Sequence, residues 1–100
     1  MRKRPRATTT HTFGVEGMLL PNGWSEVEGR LMREWTFPDF LQAKAFVDAV
    51  SELCEVQQHH AEFHFGWGYA IIESYTHDQQ CITQLDIDLA TAINQLEVEA

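Results

Sequence analysis

Residues 61–76, AEFHFGWGYAIIESYT, decide the fold. Phe63 and Phe65 alternate with Glu62 and His64. Gly66 and Gly68 then flank Trp67, and Tyr69–Thr76 is dense in β-branched and aromatic residues. A period of two marks a strand with one buried face, and such residues fit a pleated surface. Paired glycines free the backbone for a reversal. The stretch therefore reads as a hairpin of two antiparallel strands.

The flanks supply what covers it. Upstream, Phe40, Ala43, Phe46, Val47, Val50, Leu53 and Cys54 recur at spacings of three and four. Gln42, Lys44, Asp48, Glu52 and Glu55 fall mostly elsewhere, which predicts an amphipathic helix over about 39–57 opened by Pro38-Asp39. Downstream, Thr83 reads as an N-cap with Asp86 in capping-box position. Leu85, Leu89, Ala92, Ile93 and Leu96 then trace a second helical face. Further upstream, Trp24–Glu28 and Leu31–Phe37 read as another hairpin turning at Gly29-Arg30, with Leu31, Arg33, Trp35 and Phe37 on one face. The order ββαββα predicts an α+β fold: a four-stranded antiparallel sheet with helices packed on one face.

A chain of 100 residues fits one domain. We read 1–12 as a flexible basic tail and 13–100 as the domain, with a short helical turn around 15–20. The formal charge is −8. Arg2, Lys3, Arg4 and Arg6 lie in the tail, so the body holds only Arg30, Arg33 and Lys44 against all the acids. Such a body is a poor match for a phosphate backbone, and no direct nucleic-acid binding is expected. No stretch approaches the roughly 20 apolar residues that span a bilayer, so no membrane partner is expected. The basic start runs into Thr8-Thr9-Thr10 rather than an apolar segment, unlike a signal peptide. Cys54 and Cys81 have neither metal spacing nor a disulfide framework. The expected compartment is cytoplasmic.

His59, His60, His64 and His77 crowd the centre of the chain. His59-His60 sits where the first helix gives way to the third strand, and His77 closes the fourth. Pairing of those strands returns His77 to the same end of the sheet. Such a cluster can be a metal site, a cofactor-free acid–base site, or structural. Acid–base chemistry fits best, because neighbouring histidines on extended backbone point apart and chelate one ion poorly.

These residues carry a resemblance. Glu55, His59, His60, Ala61, Trp67, His77 and Asp86 fall in register with the pattern of the pterin-4a-carbinolamine dehydratase family, also known as a dimerisation cofactor of a homeodomain transcription factor. Gly23-Trp24, Glu26, Phe37, Asp39-Phe40, Ala43, Phe46, Thr76, Thr83 and Leu89-Ala90 extend the similarity over about 19–96. Ala61 stands where the family usually has Pro, and Gln80-Cys81 where it has Gly-Gly. The family's N-terminal helix is missing or degenerate.

The resemblance implies dehydration of a 4a-hydroxytetrahydropterin to the quinonoid dihydropterin, in tetrahydrobiopterin recycling. It implies His59 and His77 as the proton-transfer pair and His60 as the orienting residue. Glu55, Trp67 and Asp86 would serve substrate binding, although Asp86 also suits the cap at Thr83. No metal and no cofactor are expected. The implied partners are a small-molecule pterin and further copies of the chain, as homodimer or homotetramer. The rival readings are a non-catalytic scaffold of the same fold, such as an assembly factor for Rubisco or a transcriptional coactivator, and a zinc-binding module.

Overall fold

The computed structural model describes residues 19–99. The elements are β1 Ser25–Val27, β2 Arg30–Thr36, α1 Phe40–Gln57, β3 Glu62–Gly66, β4 Tyr69–Ser74 and α2 Gln84–Glu99. All three strand pairings are antiparallel, in the order β1-β2-β4-β3. This is the α+β architecture expected. The basic tail at 1–12 and most of the helical turn read over 15–20 lie outside the described residues, and Leu19 and Leu20 are not helical.

The first hairpin turns one residue earlier than the sequence suggests. Arg30 already pairs with Val27, leaving Glu28-Gly29 as the connection. Both have positive φ, 52° and 83°, as the type I′ turn that matches strand twist requires. The second hairpin turns at Trp67-Gly68, because Gly66 pairs with Tyr69.

Alternation decides which face is covered. Leu31 and Trp35 of β2 and Ala70, Ile72 and Ser74 of β4 are buried. Between them, Glu73, Met32 and Ile71 face away from the helices. The helices bring Phe46, Val47, Val50, Leu89, Ala90 and Ile93 to the covered face. Burying each large apolar side chain contributes about 1.5–3 kcal/mol. Trp35 packs against Trp24 edge-on at 5.6 Å and Phe46 at 4.8 Å. A polar clasp fixes the entrance to β1, and β2, to α2: Trp24 Nε1 and Arg33 Nη1 both donate to Asn94 Oδ1, each at 2.9 Å.

The helix ends are chemically determined. Asp39 caps α1, its carboxylate accepting from the Gln42 amide at 2.9 Å. At the other end Gln58 adopts the left-handed conformation, φ 55°, and its amide bonds back to Glu55 while the His59 amide bonds to the Cys54 carbonyl at 3.1 Å. That is a Schellman closure with a glutamine where glycine is usual. At α2, Thr83 Oγ1 accepts from the Leu85 amide and Asp86 Oδ2 accepts from the Thr83 amide, the expected capping box. Among the described residues, no helix is long and apolar enough to cross a membrane.

Candidate active site at the helix–strand junction

The Schellman closure of α1 delivers His59 to the first residue beyond the helical hydrogen bonds, at the entrance to β3. Its backbone amide is held by the Cys54 carbonyl. Nε2 meets Asp86 Oδ1 at 2.6 Å. The imidazole is 11% exposed and the carboxylate 0%.

Asp86 is the hub of this end of the molecule. Oδ1 also accepts from the Ser74 hydroxyl at 2.5 Å, and Oδ2 from the Thr76 hydroxyl at 2.7 Å and the Thr83 amide at 2.9 Å. Thr76 Oγ1 also meets Thr83 Oγ1 at 2.7 Å. With Thr76 donating to Asp86, Thr83 is the donor to Thr76, and Thr83 accepts from the Leu85 amide. The donors therefore run in one direction, toward the carboxylate. An ionised carboxylate has about four lone-pair sites, and four donors fill them. A buried carboxylate without such partners would be costly. With every other partner a donor, the carboxylate takes Nε2 of His59 as a donor too, and Nδ1 is the ring nitrogen turned away from Asp86.

Asp86 thus lies behind His59. Its carboxylate is fully buried beneath that imidazole.

His60 points the other way, as neighbouring residues on extended backbone do. It is exposed, and its Nε2 lies 2.7 Å from Glu55 Oε2. Glu55 is thus paired with His60 and not with His59.

His77 follows Thr76 in the loop closed by the Thr76–Cys81 bridge. Thr76 turns to Asp86, so the residues on either side turn away from it. The His77 ring lies edge-on to Tyr75, centroids 5.0 Å apart and planes at 85°. The Arg30 guanidinium covers the Tyr75 ring at 4.7 Å. His77 therefore lies at the same end of the sheet as His59 and His60, just beyond β4. Among the described residues, no hydrogen bond joins His77 to His59 or His60.

Trp67 stands apart. It forms the β3–β4 turn, 72% exposed, at the far end of a strand about 16 Å long. The hairpin that brings His59, His60 and His77 to one end of the sheet places Trp67 at the other.

His64 is exposed on the uncovered face, 3.5 Å from Glu73. Glu62, His64 and Glu73 are spaced to hold an ion, but Arg30 lies 3.7 Å from Glu62 and 3.8 Å from Glu73 and already supplies positive charge there. None of His59, His60 and His77 belongs to that group.

Ser74 is the site residue that sequence reading missed. The available signal was a hydroxyl on the strand face shared with Ala70 and Ile72. A polar group on a buried face requires a partner.

The sequence profile of the family described as Pterin 4 alpha carbinolamine dehydratase matches residues 9–96. The chain belongs to this family. A Thermosynechococcus vestitus protein, provisionally named pterin-4-alpha-carbinolamine dehydratase, is 41% identical over 76 residues, covering 76% of this chain and 80% of that one. A Prochlorococcus marinus protein with the same provisional name is 39% identical over 75 residues, covering 75% and 78%. Among solved structures, a transcriptional coactivator/pterin dehydratase from Brucella melitensis superposes with a TM-score of 0.68 at 30% identity, covering 74% of this chain and 81% of its own. Membership agrees with the resemblance read from the sequence.

Proposed function

We propose that the protein removes water from 4a-hydroxytetrahydropterins, giving quinonoid dihydropterins for tetrahydrobiopterin recycling. The observation that carries this reading is the His59–Asp86 pair, fully buried at the carboxylate with the imidazole 11% exposed, in a chain of the dehydratase family. The reaction breaks the bond between C4a and its hydroxyl oxygen, takes a proton from a ring nitrogen and forms a C=N bond. The oxygen leaves as water once protonated. Nothing is oxidised or reduced, so no redox cofactor is required, and no metal is assigned.

His59 suits proton acceptance because its only uncommitted ring nitrogen is Nδ1. The exposed imidazole of His77 is assigned as proton donor to the leaving oxygen. His60, held by Glu55, is assigned to orienting the substrate. General acid–base catalysis of this kind contributes roughly 10²–10⁴-fold, enough for a reaction that already runs slowly unaided.

The test is turnover of freshly generated 4a-hydroxytetrahydropterin. Loss of about 10²-fold or more in His59→Ala and His77→Ala, with both variants folded, supports the reading. Equal rates with and without the wild-type protein would refute it. They would favour the second reading, a coactivator or assembly scaffold, for which the Brucella protein, named a coactivator as well as a dehydratase, is a specific precedent. We further propose a cytoplasmic homodimer or homotetramer without direct nucleic-acid contact. The strongly acidic body supports the last point.

A further inference from the structure

Packing alone does not account for Ser74. It is fully buried in β4, on the face shared with Ala70 and Ile72. An alanine would occupy nearly the same volume without a polar atom to satisfy. Among the described residues the hydroxyl donates to Asp86 Oδ1, the oxygen that also holds His59. The other oxygen is already taken by Thr76 and Thr83. With Ser74 on one lone pair of Oδ1, a single position remains for the imidazole of His59. Without it, two are open, and the ring can move between them.

We propose that Ser74 is a positioning residue, whose buried hydroxyl restricts Asp86 Oδ1 to one hydrogen-bonding direction and so fixes the ring orientation of His59. This deepens the dehydratase reading and rests on it for its catalytic consequence. Its structural consequence is independent of turnover.

Both are measured on Ser74→Ala, with Ser74→Thr as the variant that keeps the hydroxyl. In the wild type, proton NMR should show a downfield Nε2–H resonance that vanishes in His59→Ala. In Ser74→Ala this resonance should broaden or disappear by exchange with solvent. Over the same pH range kcat should fall roughly tenfold with KM little changed, and the pH–rate profile should change shape. Ser74→Thr should restore the resonance and most of kcat. If the threonine methyl prevents folding, the alanine spectrum alone decides. An unchanged resonance and pH profile in Ser74→Ala, with only a lower melting temperature, would overturn the proposal. Absence of turnover in the wild type would defeat the dehydratase reading, while the NMR comparison would still decide the role of Ser74.

Discussion

Asp86 carries the sharpest consequences at the scale of single residues. Asparagine in its place keeps the size but puts an NH₂ group where two donors already point. Asp86→Asn should lower kcat/KM by roughly 10²–10⁴-fold and cost about 1–3 kcal/mol of stability. Because it acts through His59, the double variant with His59→Ala should be no slower than His59→Ala alone, as steady-state kinetics on all three proteins will show. The two thiols should differ as well. Burial pushes the Cys54 thiol above its usual 9.0; the Ala61 backbone hydrogen bond opposes this and the nearby Glu55 charge adds to it. Cys54 should therefore react with a thiol reagent far more slowly than the partly exposed Cys81 at neutral pH, read by disulfide exchange followed spectrophotometrically. The unfolded thiol ionises first, so Cys54 favours the fold fully below pH 9 and this contribution is lost as the pH rises toward the raised folded value.

At the scale of elements, the backbone conformations that place the histidines are adopted against residue preference. Gln58 and Gln80 have φ of 55° and 58°, the first closing α1 before His59 and the second closing the loop after His77. A left-handed residue with a Cβ is strained by about 1–2 kcal/mol, partly offset in glycine by its greater freedom when unfolded. Gln58→Gly and Gln80→Gly should each raise stability by about 0.5–1 kcal/mol, visible as a higher urea midpoint with an unchanged slope. Gln80 is one of the departures from the family pattern, and its φ shows why glycine suits the position. Gly29, in contrast, has open space around its α-carbon, so its positive φ alone favours glycine in the β1–β2 turn.

Over the whole molecule, the two ends of the sheet have different contents. His59, His60, His77, Asp86 and Ser74 gather where β3 begins and β4 ends. Trp67 and the stacked Phe40–Phe65 pair lie toward the opposite end. Trp67→Ala should therefore leave dehydratase turnover within about twofold of wild type, since it removes no contact near the reacting groups. Leu41, Val56 and Leu85 are half-exposed or more on the helical layer. Small domains gain from burying such surface, so light scattering at micromolar concentration should report a mass at least twice that of the chain.

Periodicity and punctuation in the sequence were sufficient for the elements, their order and the two hairpins, because each depends on residues close along the chain, whereas the central β2–β4 pairing sets Leu31 beside Ser74. The apolar stripe from Phe40 to Cys54 can be satisfied only by a helix on a sheet, and Gly66-Trp67-Gly68 only by a reversal. The histidine cluster was legible for the same reason: a hairpin returns its ends to one place. The partner of each imidazole was not legible. His59 meets Asp86 across 27 positions and Asp86 meets Ser74 across 12, and no local pattern encodes which lone pair faces which donor. Likewise Trp67 satisfies the spacing of a site residue but lies at the other end of the hairpin from His59, because spacing records distance along the chain and a strand converts it into distance through space. The sequence determined which groups could do chemistry; the packing of α2 under β4 decided which of them are held in place to do it.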